Sequence, residues 1–223
     1  MVGPGRSKAL RHFKRFDRRF YEATRAHHKA LPLELPARRT RAELFSALVS
    51  IVVSQQLGTA AADSIFIRVK AACGGAITPQ SVATVPEARL RAAGLSGAKV
   101  KTIKAIAGAV KVGTLDLISL KRVTEDEAAL RLTALWGLGP WSVEMFMLFA
   151  LGRGDVFSPG DLGLARSIEQ IYGLVKNSDR TSLLAYSQKW SPYRSWACLL
   201  LWRVRDNTPP ASLPAASTPG RHR

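Results

Sequence analysis

Cysteine is scarce in this sequence. Its 223 residues include only two cysteines, Cys73 and Cys198, which are too few for a disulfide framework and are typical of a protein in a reducing cytoplasm. No pair of Cys or His residues has the spacing of a zinc site. We therefore predict a cytoplasmic protein that needs no cofactor and holds no metal through its side chains.

Long apolar runs and an apolar leader are also missing. No stretch reaches the roughly 18 apolar residues of a membrane span, so we expect no membrane partner. Near its start the chain reads RSKALRHFKRFDRRF instead of the apolar core of a signal peptide, which argues against secretion.

Acidic residues are outnumbered by basic ones. The chain has 16 Asp and Glu against 33 Lys and Arg, and its net charge is +17 at pH 7. Such a charge favours a nucleic-acid partner over an anionic membrane face. A role in solubility, or adaptation to high salt or temperature, is the alternative. Many basic residues lie in the first 29 positions, where Phe13, Phe16 and Phe20 recur at helical spacing and predict an amphipathic helix over about 9–27.

Helical periodicity continues along the chain, and no segment has a convincing strand pattern. The predicted fold class is therefore all-α. Thr40 with Glu43, and Thr124 with Glu127, have the spacing of a capping box and predict two helix starts. Ser96 is expected to cap another helix. Residues 206–223 are rich in Pro, Ala and Ser and are predicted to be disordered.

A glycine-containing turn joins two predicted helices in the second half of the chain. Gly137 and Gly139 lie two residues apart, and both are expected to use the positive φ angles that glycine tolerates. Pro140 suits the first turn of the next helix. The backbone N–H groups of Gly139, Trp141 and Ser142 would then point outward at a helix N-terminus, which is a favourable place for a phosphate.

The motif LWGLGPWS, followed by DVFSPGDLGL, resembles the helix-hairpin-helix DNA glycosylases, and most of all the 3-methyladenine DNA glycosylase II type that excises alkylated bases. The resemblance covers roughly residues 40–205. It implies a monomeric, monofunctional enzyme that hydrolyses the N-glycosidic bond of alkylated purines in duplex DNA. With only two cysteines, the chain cannot form the four-Cys iron–sulfur cluster of some members.

The same resemblance implies two helical lobes with a helix-hairpin-helix motif and a DNA-binding cleft between them. The expected division is a basic N-terminal segment over 1–40 that packs with the second lobe, a first lobe over 41–151, and a second lobe over 152–205. Many bacterial members carry an additional N-terminal α+β domain, so this chain is expected to be the short form.

Asp161 is the candidate catalytic residue. It follows Ser158-Pro159-Gly160 at a predicted helix start, where an Asp is most often an ordinary N-cap. The resemblance instead implies a catalytic carboxylate at this position. Cleavage of an N-glycosidic bond builds positive charge at C1′ of the deoxyribose, which a fixed anion would stabilise while it orients a water molecule.

Trp141 stands where lyase members of the superfamily have a lysine that forms a Schiff base with C1′. No lysine lies between 122 and 175, so we expect no lyase activity. The ring of Trp141 is either a stacking surface for a cationic base or a core residue beneath the hairpin. The resemblance also places Met145, Leu162 and Tyr193 in the base pocket. Some members have Tyr at the first two positions, which leaves this pocket less aromatic.

The segment Gln55-Gln56-Leu57 ends a predicted helix. It is either a satisfied turn or, as the resemblance implies, a wedge in which Gln56 or Leu57 fills the gap left by an extruded base. Lys99 and Lys101 either contact phosphate or form a solvated helix face, and the sequence leaves both open.

The resemblance also implies a monovalent cation held by backbone carbonyls of the hairpin, at Thr133, Leu135 and Leu138. Two other functions remain open. The same fold can act on deaminated or oxidised purines, or the chain can be a DNA-binding protein without catalysis. Asp161 together with Trp141 favours an enzyme, because a purely DNA-binding module does not need a carboxylate in its cleft.

Overall fold

The computed structural model describes residues 5–35, 37 and 40–204. These residues form α-helices, three short 3₁₀ helices and loops, and no strand is found among them, which confirms the all-α prediction. The α-helices are α1 (Arg6–Phe16), α2 (Arg18–Ala23), α3 (Arg41–Ser54), α4 (Thr59–Ala72), α5 (Pro79–Thr84), α6 (Glu87–Ala92), α7 (Gly97–Val112), α8 (Glu125–Thr133), α9 (Pro140–Phe149), α10 (Leu162–Tyr172), α11 (Arg180–Ser187) and α12 (Arg194–Val204). The predicted disordered tail, 206–223, lies outside the described residues.

Side-chain caps set the start of several helices, as their local sequence predicts. Thr40 forms the complete capping box with Glu43 before α3, and Ser96 accepts the N–H of Lys99 before α7. Thr124 accepts the N–H of Glu127 before α8, but the capping box predicted there is only half formed, and the Glu127 carboxylate accepts from Arg131 instead. Each cap satisfies an N–H group that has no partner within its own helix.

Helix α3 lies at the centre of one group of helices. Nearly all of its residues from Leu44 to Ser54 are buried, and it packs on α4, α7 and α9. Helices α8 and α9 pack together on either side of the hairpin, and α10 packs on α12. This packing brings the ends of several helices to one cleft, while the division into lobes at residue 151 stays a prediction. None of the helices in the described ranges is both long and apolar enough to cross a membrane.

The N-terminal segment is broken at Asp17, so the prediction of one helix over 9–27 was wrong. Asp17 has an extended φ of −148°, and its buried carboxylate accepts hydrogen bonds from the N–H of Phe20 (3.0 Å), from the indole of Trp190 (3.1 Å) and from the hydroxyl of Tyr172. Continuing the helix would lose these contacts. They attach α1 and α2 to the C-terminal part of the chain.

The contacts of Asp17 generate a stability prediction. Asp17→Ala leaves the buried donors of Trp190 and Tyr172 without a partner, so we expect the free energy of unfolding to fall by roughly 3 kcal/mol. Glu22→Ala on the same helix is the control. Its ion pair with Arg25 is exposed, and its loss should cost less than about 1 kcal/mol. Urea unfolding measures both, and equal effects would show that Asp17 does not anchor the segment.

Candidate functional site in a cleft of converging helix ends

A cleft of about 890 Å³ lies where helix ends converge. Its lining includes the N-terminal ends of α4, α7, α9, α10 and α11 and the C-terminal ends of α3 and α12. Gly58 and Gly139 precede α4 and α9 without supplying a capping side chain. The N-terminal ends of these two helices, with their helix dipoles, make the cleft favourable for an anion.

The carboxylate of Asp161 is held from three sides at the wall of this cleft. Its Oδ1 accepts from the backbone N–H of Leu164 at 2.9 Å and from the indole N–H of Trp202 at 3.0 Å. Its Oδ2 accepts from the indole N–H of Trp141 at 2.9 Å. Asp161 is thus an N-cap and a cleft residue at once. All three donors are neutral, so they fix the orientation of the carboxylate without cancelling its charge.

Trp202 is a site residue that sequence reasoning missed, because its place in the last helix favours a core role. It is 2% exposed, stacks on Phe149 with ring centres 5.6 Å apart, and reaches the cleft only with its indole edge. Trp141 is half-buried and also lines the cleft, so it is not simply a core residue. Leu162 lines the cleft beside Asp161 and is 71% exposed.

Two residues expected in the base pocket, Met145 and Tyr193, do not line this cleft. Tyr193 precedes α12, whereas Trp202 lies nine residues further along, which is about 13 Å of helix. The cleft is at the Trp202 end, so the ring of Tyr193 packs on His12 of α1 instead, with ring centres 5.0 Å apart. Met145, one turn further along α9 than Trp141, is fully buried and does not line the cleft.

The expected wedge residues lie at the rim of the cleft. Gln56 is exposed and has a positive φ of 57°, and Leu57 is 40% exposed. Their neighbour Gln55 was not predicted to matter, yet its side-chain amide donates to the carbonyl of Gly137 at 3.0 Å and to the buried hydroxyl of Ser142 at 2.8 Å. Gln55 therefore connects the turn after α3 directly to the hairpin.

Lys99 has a role that neither sequence alternative included. Its ammonium donates to the carbonyls of Val53 and Gln55, at 2.7 and 2.8 Å, and burial lowers the pKa of this amine. Lys99 therefore stabilises the C-terminal end of α3 with two of its three N–H donors, and its contact with a phosphate stays a prediction. Lys101 is exposed and lies 4.2 Å from the ring centre of Trp136 in the hairpin, so its contact with DNA stays a prediction.

The hairpin needs glycine at one of its two glycine positions. Gly137 has a φ of +84°, and a Cβ added there would lie 2.0 Å from Oγ1 of Thr102. Gly139 has an ordinary φ of −86° and open space around it, so the expectation of a positive φ there was wrong. The hairpin also forms a concavity that includes the predicted cation positions, Thr133, Leu135 and Leu138. The carbonyl of Leu135 already accepts from Leu138, and the cation stays a prediction.

A second carboxylate supports the loop that leads to Asp161. Glu144 of α9 accepts a hydrogen bond from the hydroxyl of Ser158. Burial raises the pKa of Glu144, the bond from Ser158 and the charge of Arg180 oppose that rise, and the charge of Asp161 adds to it. The Glu144 contact fixes the loop against α9. Within the described ranges, no group of three His, Cys, Asp or Glu residues is placed to hold a metal ion.

These features agree with comparisons to known proteins. Residues 49–192 match the HhH-GPD superfamily of base excision DNA repair proteins, and the chain belongs to this superfamily. It is 32% identical over 165 residues to DNA-3-methyladenine glycosylase 1 of Schizosaccharomyces pombe, an alignment that covers 73% of this chain and 72% of the yeast protein.

Solved structures with a similar fold also include 3-methyladenine DNA glycosylases. The fold is similar to that of a DNA-3-methyladenine glycosidase from Bacillus halodurans, with a TM-score of 0.70, 34% identity, and coverage of 91% of this chain and 90% of the other. It is also similar to the Schizosaccharomyces pombe 3-methyladenine DNA glycosylase Mag1 in complex with abasic DNA. There the TM-score is 0.80 and the identity 28%, with coverage of 89% of this chain and 97% of the other.

The hairpin geometry predicts different outcomes for its two glycines. Gly137→Ala combines a left-handed backbone with a clash against Thr102, so we expect the free energy of unfolding to fall by roughly 3 kcal/mol. Gly139→Ala is the matched control and should cost less than about 1 kcal/mol. Chemical unfolding of the two variants tests the contrast. Equal stability would mean that the turn rearranges without cost.

Proposed function

We propose that this protein is a monofunctional DNA glycosylase that hydrolyses the N-glycosidic bond of alkylated purines in duplex DNA. The observation that carries the proposal is the carboxylate of Asp161, which three neutral N–H groups fix at the wall of an open cleft. The names of the related proteins, which describe 3-methyladenine glycosylases, support the choice of substrate.

DNA binding is supported by the charge of the chain and by the ends of its helices. The N-terminal ends of α4 and α9 lie at the same cleft, and the glycine before each helix supplies no capping side chain. Backbone N–H groups at a helix N-terminus bind phosphate without reading the base. The hairpin, with Gly137, Gly139 and Ser142, would therefore position duplex DNA, while the net charge of +17 strengthens binding to any sequence.

The cleft suits an extruded, cationic base. The ring of Trp141 offers an electron-rich face, and Leu162 offers an apolar surface beside Asp161. An N-alkylated purine carries positive charge, so it is attracted to an aromatic face and is a good leaving group. When its bond to C1′ breaks, the bonding electrons leave with the base and C1′ becomes cationic. The carboxylate of Asp161 stabilises this charge, and water adds to C1′ to leave an abasic sugar.

A route through an enzyme–DNA Schiff base would have to use Lys99, whose amine already donates to backbone carbonyls at the end of α3. Trp141 occupies the position of the lysine in lyase members, and Lys99, which lines the cleft, donates to two backbone carbonyls. We therefore propose hydrolysis without lyase activity. Deaminated or oxidised purines are the alternative substrates, and they lack the positive charge that the face of Trp141 favours.

Replacement of Asp161 tests the proposed chemistry. Asp161→Asn keeps the shape of the side chain and removes its charge, so excision of an alkylated purine should slow by roughly 100-fold or more. Binding to duplex DNA should persist. The amide NH₂ of the new Asn would face one of three donors, so a small loss of thermal stability is also expected. Single-turnover release of the base measures the rate.

The chain offers a matched control for this experiment. Asp179 caps α11 as Asp161 caps α10, but its carboxylate is exposed and accepts from Ser182. Asp179→Asn should leave the excision rate nearly unchanged, since Asn is an equally good cap. An Asp161→Asn variant as active as Asp179→Asn would reduce Asp161 to a structural cap and overturn the mechanism.

The wedge generates a separate prediction. Leu57→Ala should slow excision from duplex DNA by about tenfold and leave excision from a single strand unchanged, because only a duplex has a stack to refill. Gln56→Ala should act in the same direction. Ile67→Ala, at a 68% exposed position on α4, is the control and should affect neither substrate. Equal losses on both substrates would show that the turn after α3 is structural.

A further inference from the structure

Arg180 is a cleft residue whose guanidinium has no assigned partner. It is the first residue of α11, it is exposed, and it lines the cleft together with Asp161. Within the described part of the chain, the guanidinium of Arg180 makes no hydrogen bond or ion pair. Lys99, the other basic residue of the lining, donates to two carbonyls. Among the described residues that line the cleft, Arg180 is therefore the cation whose side-chain donors are all free for a ligand.

The guanidinium of Arg180 lies over the loop that leads to Asp161. A Cβ added to Gly160 would lie 2.3 Å from Nη2 of Arg180, so the guanidinium covers the backbone directly before Asp161. It also lies close enough to Glu144 to lower the pKa of that carboxyl, against the effect of burial. Arg180 therefore lies near two acidic side chains, Asp161 in the cleft lining and Glu144 behind it on α9, yet it forms an ion pair with neither.

An extruded nucleotide brings further negative charge to this part of the cleft. When C1′ of its sugar approaches Asp161, the phosphates on either side of that sugar must come near the same carboxylate. Asp161 and Glu144 repel them, and the three donors to Asp161 are neutral and already engaged. A guanidinium offsets such repulsion, and its planar set of donors matches a phosphate with two parallel hydrogen bonds.

We propose that Arg180 binds a backbone phosphate next to the extruded nucleotide. This inference rests on the proposed function, since it needs a nucleotide in the cleft. Arg180 would act after extrusion, unlike the hairpin amides, which would hold any duplex. Its loss should therefore weaken binding to DNA with an extruded sugar more than binding to undamaged DNA.

The test compares Arg180→Gln with Arg89→Gln. Arg89 is an exposed residue of α6 that lies near Cys73. Cys73 ends α4, and the start of α4, which lines the cleft, is about 20 Å away along that helix. Fluorescence anisotropy gives the affinity for an undamaged duplex and for one with a stable abasic-site analogue, over a range of salt concentrations. Arg180→Gln should weaken binding to the analogue roughly tenfold, the scale of one charge-assisted hydrogen bond. The slope of log K against log salt should fall by about 0.9, the value for one phosphate contact.

Controls separate this inference from the proposed function. Arg180→Lys should restore the salt slope, because it keeps the charge, but not the full affinity. Arg89→Gln should change neither quantity, and thermal unfolding should be the same for all variants. If Arg180→Gln binds the analogue as tightly as Arg89→Gln while the unmutated protein excises alkylated purines, the phosphate contact is refuted and the proposed function stands. If the unmutated protein neither excises a base nor prefers the analogue, both fail.

Discussion

Three neutral N–H groups around the carboxylate of Asp161 are the contact on which the site depends. One comes from the first turn of α10, and the indoles of Trp141 and Trp202 supply the others. These donors come from the start of α9, the start of α10 and the end of α12. The carboxylate is oriented only if all three helix ends meet, so the fold and the proposed chemistry place the same demand on the chain.

Several side-chain contacts, most of them partly buried, hold these parts of the chain together. Gln55 joins the turn after α3 to the hairpin, and Lys99 binds the carbonyls at the end of α3. At the other end of α12, away from the cleft, Arg194 forms a two-point ion pair with Asp155 of the loop before Asp161, at 2.8 and 2.9 Å. Paired donors in a partly buried place resist rearrangement better than a single exposed pair. The hairpin proposed to bind DNA, the proposed wedge after α3 and the loop that carries Asp161 are therefore each held by direct side-chain contacts.

The sequence correctly predicted the features that depend on residues close together in the chain. Caps such as Thr40 act over three positions, and the sequence also identified Asp161 as both an N-cap and a candidate catalytic residue. It missed Trp202, which donates to Asp161 from 41 positions further along the chain. It also expected Tyr193 in the pocket, but the C-terminal end of α12 reaches the cleft, whereas Tyr193 precedes the N-terminal end and packs on His12. Helical periodicity cannot show which end of a helix reaches a site. The sequence also gave no sign that Asp17 would interrupt the helix and accept hydrogen bonds from one indole and one phenol.

The central claim is that water, assisted by the carboxylate of Asp161, displaces a cationic purine from C1′. A single-turnover reaction of the unmutated protein with a duplex that carries one N-alkylated purine, run with borohydride present and then treated with alkali, tests it most directly. The account predicts release of the free base, an abasic site that alkali cleaves, and no covalent protein–DNA adduct. An adduct trapped by borohydride would contradict hydrolysis, and failure to release any alkylated purine would contradict the proposed function itself.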